Sequence, residues 1–261
     1  MQISSIVEFL ENWAPLPLAE SYDNPGLIAG NRSETVKGVL ISLDVTDSVL
    51  EEAVSLGANL IVAHHPVWFG PRYRITEDDP IGRLLLKSIR YGISLYAIHT
   101  NLDHVQTGVN ARICDKIGLV NTRILKPKPN VPETGSGMIG EFPESISKQR
   151  FLDLIQKRFE TKQLRYADSL HTQIRTVAVC GGSGSFLIPN ALQAKADAFL
   201  TADITYHKFF EPDGKLLLLD IGHYESEQFT SDLLAERLQD EFTHIPFYRT
   251  SINTNPIICH P

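Results

Sequence analysis

The stretch Leu60-Ile61-Val62-Ala63-His64-His65-Pro66 decides the fold. Four apolar residues in a row read as a strand buried on both faces, and the proline disfavours helix at the residue before it. Two imidazoles then emerge at the carboxyl end of a buried strand, where open α/β sheets place their ligand sites. Adjacent side chains on an extended backbone point opposite ways. The pair is therefore expected to diverge, serving two metal ions, or one ion and one substrate group.

Working outward, the same pattern recurs. Ile93 to Ile98 is a second strand-like run, followed by His99, Asp103 and His104. Leu216 to Leu219 is a third, leading through Asp220-Ile221-Gly222 into His223, with Glu227 beyond. His99 with Asp103, and His223 with Glu227, are four residues apart, which puts each pair on one face of a helical turn. Between the strands lie helical patterns: Ile3 to Glu11, Asp47 to Leu56 with Thr46 as N-cap and Gly57 as stop, and Ile81 to Tyr91 ended by Gly92. Strands alternating with helices predict an α/β fold with mainly parallel or mixed sheets.

An offset of 138 residues superposes Lys37–His65 on Arg175–Asp203 without a gap, carrying Val39 to Val177. The apolar pattern is kept while His64 and His65 become Ala202 and Asp203. This predicts two related α/β lobes from an internal duplication. Residues 1–125 with 216–261 form the metal-binding lobe, and 126–215 the second. The Pro/Gly-rich residues 125–140 read as a linker between them, and Ser147 to Phe159 as an amphipathic helix.

The chain has 261 residues, a formal net charge of −7 and 43% hydrophobic residues. That composition suits a soluble globular protein, and its acidity argues against a surface built to cover nucleic acid. No apolar stretch approaches the ~20 residues of a membrane helix. The first Lys or Arg is Arg32, so no charged signal-peptide n-region is read, and the three cysteines are widely spaced. A reducing, cytoplasmic setting is expected.

His64, His65, Asp103, His223 and Glu227 together make three imidazoles and two carboxylates. Such mixed ligands suit zinc, iron or manganese better than calcium or magnesium. Five ligands exceed one tetrahedral site, so two divalent ions per chain are expected. Arg72 and Arg74 follow the histidine pair and are candidate contacts to an anionic substrate; His207 is a candidate for lining the site. Gly181-Gly182-Ser183-Gly184-Ser185 lacks a Walker lysine and dinucleotide spacing, so a tight turn is favoured over a phosphate cradle.

Five segments carry a resemblance. They are Ser21-Tyr22-Asp23-Asn24-Pro25-Gly26-Leu27, Ala63-His64-His65-Pro66, His99-Thr100-Asn101-Leu102-Asp103, Thr201-Ala202-Asp203 through His207, and Gly222-His223-Tyr224-Glu225-Ser226-Glu227. In this order the chain resembles the NIF-three-like family of dinuclear metal proteins, whose members are called GTP cyclohydrolase 1 type 2 homologues. Ala202 stands where that family commonly has glycine. The resemblance implies ligation by His64, His65, Asp103, His223 and Glu227, with Glu227 bridging, and a ring-shaped homohexamer. The short passage at mid-chain matches the family's compact form. A hydrolase acting on a nucleotide such as GTP would use a metal-activated water, with His99 or His104 shuttling protons. A non-catalytic metal-binding scaffold and a metallophosphoesterase are the alternatives.

Overall fold

A computed structural model of the chain describes residues 1–260. They divide into two units, Met1–Leu102 with Phe229–Pro256, and Asp103–Gln228 with the residues from Ile257. In chain order the first unit holds α1 (Ile3–Trp13), β1 (Gly26–Ala29), β2 (Val39–Ser42), α2 (Asp47–Ser55), β3 (Leu60–Ala63), α3 (Pro80–Arg90) and β4 (Ser94–Ala97). The short α4 (Thr100–Asp103) follows. The second unit continues with α5 (Val109–Ile117), β5 (Val120–Pro127), β6 (Gly135–Ser147), α6 (Lys148–Phe159), β7 (Arg165–Ala167), β8 (Gln173–Val179), α7 (Ile188–Gln193), β9 (Ala198–Thr201), β10 (Leu217–Asp220) and α8 (His223–Glu227). The chain then returns to the first unit for α9 (Thr230–Glu241) and β11 (Phe247–Arg249).

The first sheet has the order β1-β4-β3-β2-β11. Neighbours are parallel except β1, which runs antiparallel to β4. Strands β2, β3 and β4 are buried at every position, as expected when helices cover both faces of a parallel sheet. Val49, Leu50 and Ala53 of α2 and Leu84 and Leu85 of α3 pack on Leu40, Ile61 and Leu95. The Thr46 side chain caps α2 through the Val49 N–H, and Asp79 caps α3 through the Gly82 N–H. Pro80 sits at the first helical position of α3, where its missing N–H costs nothing.

The second sheet has the order β5-β6-β8-β9-β10-β7. Its β7-β10-β9-β8 portion repeats β1-β4-β3-β2 in order and direction. The 138-residue offset also holds in register: Val39 pairs with Leu60, and Val177 with Ala198. Phe199, Leu218 and Ala178 form its core with Leu187, Ile188 and Ala191. The chain is thus an α/β protein of two related lobes with mixed sheets.

Residues 125–140 are not a linker. They form a hairpin, with β5 antiparallel to β6 and a register that reaches Pro127 opposite Gly135. Proline and glycine are tolerated because β5 is an edge strand and Pro127 and Gly135 lie at the hairpin end. Among the described residues no helix is long and apolar enough to cross a membrane.

The segment after β11 is held to α2 by one carboxylate. Glu52 accepts from the Ser251 N–H at 2.8 Å, from Ser251 Oγ at 2.6 Å and from Thr250 Oγ1. Burial opposes its charge, but these donors outweigh burial and hold the carboxyl below its ordinary value. Because the folded pKa is depressed, the stabilisation is present above the unfolded pKa and fades as pH falls through the folded one. Glu52→Gln should cost about 1 kcal/mol near neutral pH, kept small by solvent screening. Denaturant titrations at neutral and acidic pH should show the difference shrinking in acid; a constant difference contradicts the ionic account.

Candidate functional site

Parallel register places Ser42, Ala63 and Ala97 side by side at the carboxyl ends of β2, β3 and β4. Asp44, the His64–His65 pair and His99 follow within two residues of that row. Strand β3 ends at Ala63, so the alternation that would separate the two histidines does not reach them. Their ring centroids lie 5.0 Å apart, and those rings lie 5.2 and 5.4 Å from His99. Ligand nitrogens from all three are within 4.8 Å of one another. The expected divergence is therefore corrected: the backbone bends out of the strand and gathers the pair, and His99 joins them.

Each ring is fixed through Nδ1. His64 Nδ1 donates to the Ile98 carbonyl at 2.8 Å, His65 Nδ1 to Asp44 at 2.7 Å, and His99 Nδ1 to Asp23 at 2.8 Å. In the neutral rings this leaves the lone pair on Nε2. Burial raises the pKa of Asp44, but His65 and Thr254 more than reverse that and hold it low. Burial acts likewise on Asp23, where His99 and Thr100 bring the value down to about 2. Both carboxyls are anionic acceptors at neutral pH. Sequence reading did not single out either one as a support. Asp44 lay in view two residues past a buried strand, and Asp23 inside one of the quoted segments.

The second unit has its own cluster at the matching strand ends. Val179, Leu200 and Leu219 are in register across β8, β9 and β10. His223 Nδ1 donates to Asp203 at 2.7 Å, and His223 Nε2 lies 3.0 Å from Glu227 Oε2. Burial lowers the His223 pKa, but the two carboxylates outweigh it and raise it to about 11. The Asp203 carboxyl is held below its ordinary value, chiefly by the His223 hydrogen bond. Asp203 adopts a left-handed backbone conformation at φ 54°, which Asp tolerates better than most residues. The Asp103 carbonyl accepts from Asn110 Nδ2 at 3.0 Å. Burial pushes the Cys180 thiol up, and Asp103 and Glu227 add to the effect.

The glycine loop supports this cluster and is a tight turn. Its glycine N–H groups are used internally: Gly181 donates to Asn110 Oδ1, Gly182 to Ser226 Oγ and Gly184 to Thr201 Oγ1. A Cβ on Gly182 would lie 2.5 Å from Glu227 Oε1 and 3.3 Å from His223 Cε1, at φ +60°. Gly182→Ala should therefore displace Glu227, lower metal retention and cost about 1–2 kcal/mol for the left-handed backbone. Elemental analysis and thermal unfolding test this; an unchanged metal content would sink it.

Other candidates are placed differently. Arg72 pairs with Asp79 beside the α3 cap, and Arg74 is exposed. His104 is buried, with Nε2 3.1 Å from Ser136 Oγ. His207 is exposed and meets the ring of Tyr206 edge-on.

The donor chemistry fits a divalent transition metal: oriented imidazole nitrogens in the first unit, and imidazole with carboxylates in the second. The family model Duf34/NIF3 (NGG1p interacting factor 3) matches residues 1–256. A Clostridium perfringens protein named GTP cyclohydrolase 1 type 2 homolog is 35% identical, over 94% of this chain and 95% of its own. One of that name from Lactococcus lactis is 34% identical, with 98% of each chain covered. The solved structure of a Bacillus cereus protein related to NIF3 superposes with a TM-score of 0.89 at 25% identity, covering 100% of this chain and 99% of that one. A family match over nearly the whole length, relatives above 30% identity and this shared fold lead to one conclusion: the chain belongs to the Duf34/NIF3 family.

Proposed function

We propose that the protein is a dinuclear metal-dependent hydrolase acting on a nucleotide or related small molecule. The ligands assigned are His64, His65, Asp103, His223 and Glu227, with two divalent ions per chain, zinc, iron or manganese. The observation that carries this reading is the fixing of four histidines through Nδ1, three of them by aspartates. Metal-ligating histidines are commonly oriented in this way, and a surface histidine has no need of it. Glu227 is buried and its Oε2 lies 3.0 Å from His223 Nε2; a buried carboxylate usually sits against a cation, a place that a metal ion would share with the imidazole.

When bound, such ions supply Lewis acidity, which lowers the pKa of a water and offsets phosphate charge. The residues of the chain do the rest. Asp44 and Asp23 hold His65 and His99 in one tautomer. His99 is assigned proton transfer at Nε2, with its place in the histidine cluster also making it a candidate ligand. His104, next to Asp103 in the chain, is the second proton carrier, and its Nε2 lies 3.1 Å from Ser136 Oγ. Arg72, Arg74 and His207 are assigned to an anionic substrate.

The test is a metallated sample assayed against GTP, other nucleotides and simple phosphoesters, with metal counted by elemental analysis. About two ions per chain and metal-dependent turnover are expected. One ion or fewer in excess metal would defeat the dinuclear assignment. Absence of turnover in a fully loaded sample would favour the non-catalytic scaffold. Turnover of phosphoesters alone would favour a metallophosphoesterase.

Family membership also supports a toroidal homohexamer, which light scattering tests; a stable monomer at micromolar concentration would refute it. The free thiols of Cys114, Cys180 and Cys259 support a cytoplasmic setting.

A further inference from the structure

Two exposed aromatic rings stand beside the histidine cluster of the first unit. Tyr22 is 60% exposed and Phe69 54% exposed. Their ring centroids lie 6.3 Å apart with planes tilted by 56°, so neither ring lies flat on the other. The Phe69 ring is also 5.6 Å from the His99 ring. Single exposed aromatics are ordinary on protein surfaces. A pair joined to a histidine cluster is not explained that way.

Both rings come from anchored segments. Asp23, next to Tyr22, is fully buried at its side chain. It accepts from His99 Nδ1, from the Thr100 N–H at 3.1 Å and from Thr100 Oγ1. The Glu20 N–H donates to Thr100 Oγ1 at 2.9 Å. Tyr22 is thus held from both sides against the start of α4. Phe69 follows Trp68, whose side chain packs on the first-unit core and whose carbonyl accepts from Asn24 Nδ2. The Tyr22 loop is tied to His99 through Asp23 and meets the Phe69 loop through the long Asn24–Trp68 contact of 3.5 Å. Rigid aromatic faces bind planar rings with little ordering cost.

We propose that Tyr22 and Phe69 form a stacking shelf beside His99 that receives a planar heteroaromatic ring, such as a purine base, and so sets the substrate class. The proposal rests on the hydrolase reading for the reaction that follows, whereas binding to the shelf stands apart from it. The shelf reads a flat π face, so it discriminates a nucleoside triphosphate from a bare phosphate chain of similar charge.

The test is calorimetric titration of the metal-loaded protein with guanosine, GTP and inorganic tripolyphosphate. Wild type is compared with Phe69→Leu, which keeps apolar bulk and removes the ring, and with Phe69→Trp, which keeps a ring. Phe69→Leu should weaken guanosine and GTP about tenfold, from lost stacking. Tripolyphosphate affinity and metal content should not move, and Phe69→Trp should bind the nucleoside at least as well as wild type. Tyr22→Leu should act in the same direction. Four results would overturn the shelf: no guanosine binding by wild type at millimolar concentration, equal guanosine affinity in Phe69→Leu, a matching loss of tripolyphosphate, or a smaller oligomer with unchanged guanosine affinity. The last would make the rings a contact between copies of the chain. Failure of the hydrolase reading shows separately, as absent turnover in a loaded protein that still binds guanosine.

Discussion

Replacing His65 or Asp103 with alanine should reduce turnover to background, a loss of at least ~10³-fold. It should also lower metal content while the fold persists. A metal centre acts as a unit, so removing one ligand forfeits most of the catalysis, not a proportional share. The fold is expected to survive because the strands behind these residues are held by apolar packing. Leu60, Ile61 and Val62 are fully buried before the histidines begin. Metal stabilises whatever state it binds, so the unfolding midpoint of each variant should match that of metal-free wild type. A midpoint well below that reference would indicate structural damage. Turnover equal to wild type in either variant would assign the activity elsewhere.

The strands were legible because parallel strands covered on both faces need unbroken apolar runs, and β2, β3, β4, β9 and β10 supply them. The repeat was legible for the same reason, since its register depends on those runs. The β5–β6 hairpin was not. An edge strand with mostly exposed residues has no such run, and the Pro of β5 with the Gly residues of β6 resembles loop composition. The direction of the two histidines was misread because pleat alternation applies only while the strand lasts, and β3 stops one residue before His64.

The residues that orient the cluster were hidden for a different reason. Asp23 lies 76 positions from His99, and Asp44 lies 21 from His65. No local spacing links such partners; only the sheet does, by bringing separate strand ends to one edge. Asp203 showed itself as the counterpart of His65 in the repeat and inside one quoted segment, with no role attached. An aspartate just after a strand reads as a solvated charge until its partner is known. The candidate ligands were legible because histidine is scarce, whereas aspartate is common.

Those supporting aspartates give the second large effect. Asp44→Ala and Asp203→Ala should each weaken metal binding by roughly 10–100-fold, measured by competition with a chelator of known affinity. Asp44 Oδ1 accepts from His65 Nδ1, while its Oδ2 accepts from Thr254 Oγ1 at 2.6 Å. Removing the carboxyl frees the His65 ring to rotate and to carry its proton on either nitrogen, so part of the population presents the wrong atom. Asp44→Asn should recover part of the affinity, because an amide oxygen still accepts from Nδ1 while the charge is gone. Thr254→Val separates support of the ring from support of the loop. It removes the Oδ2 partner and leaves the histidine contact, so metal affinity should stay within about threefold of wild type. Asp23 is the less clean choice, since its loss also strips Thr100 of its acceptor. If Asp44→Ala and Asp203→Ala both bind metal as tightly as wild type, the hydrogen bonds at Nδ1 are not what orients these histidines, and the observation that carries the proposed function loses its force.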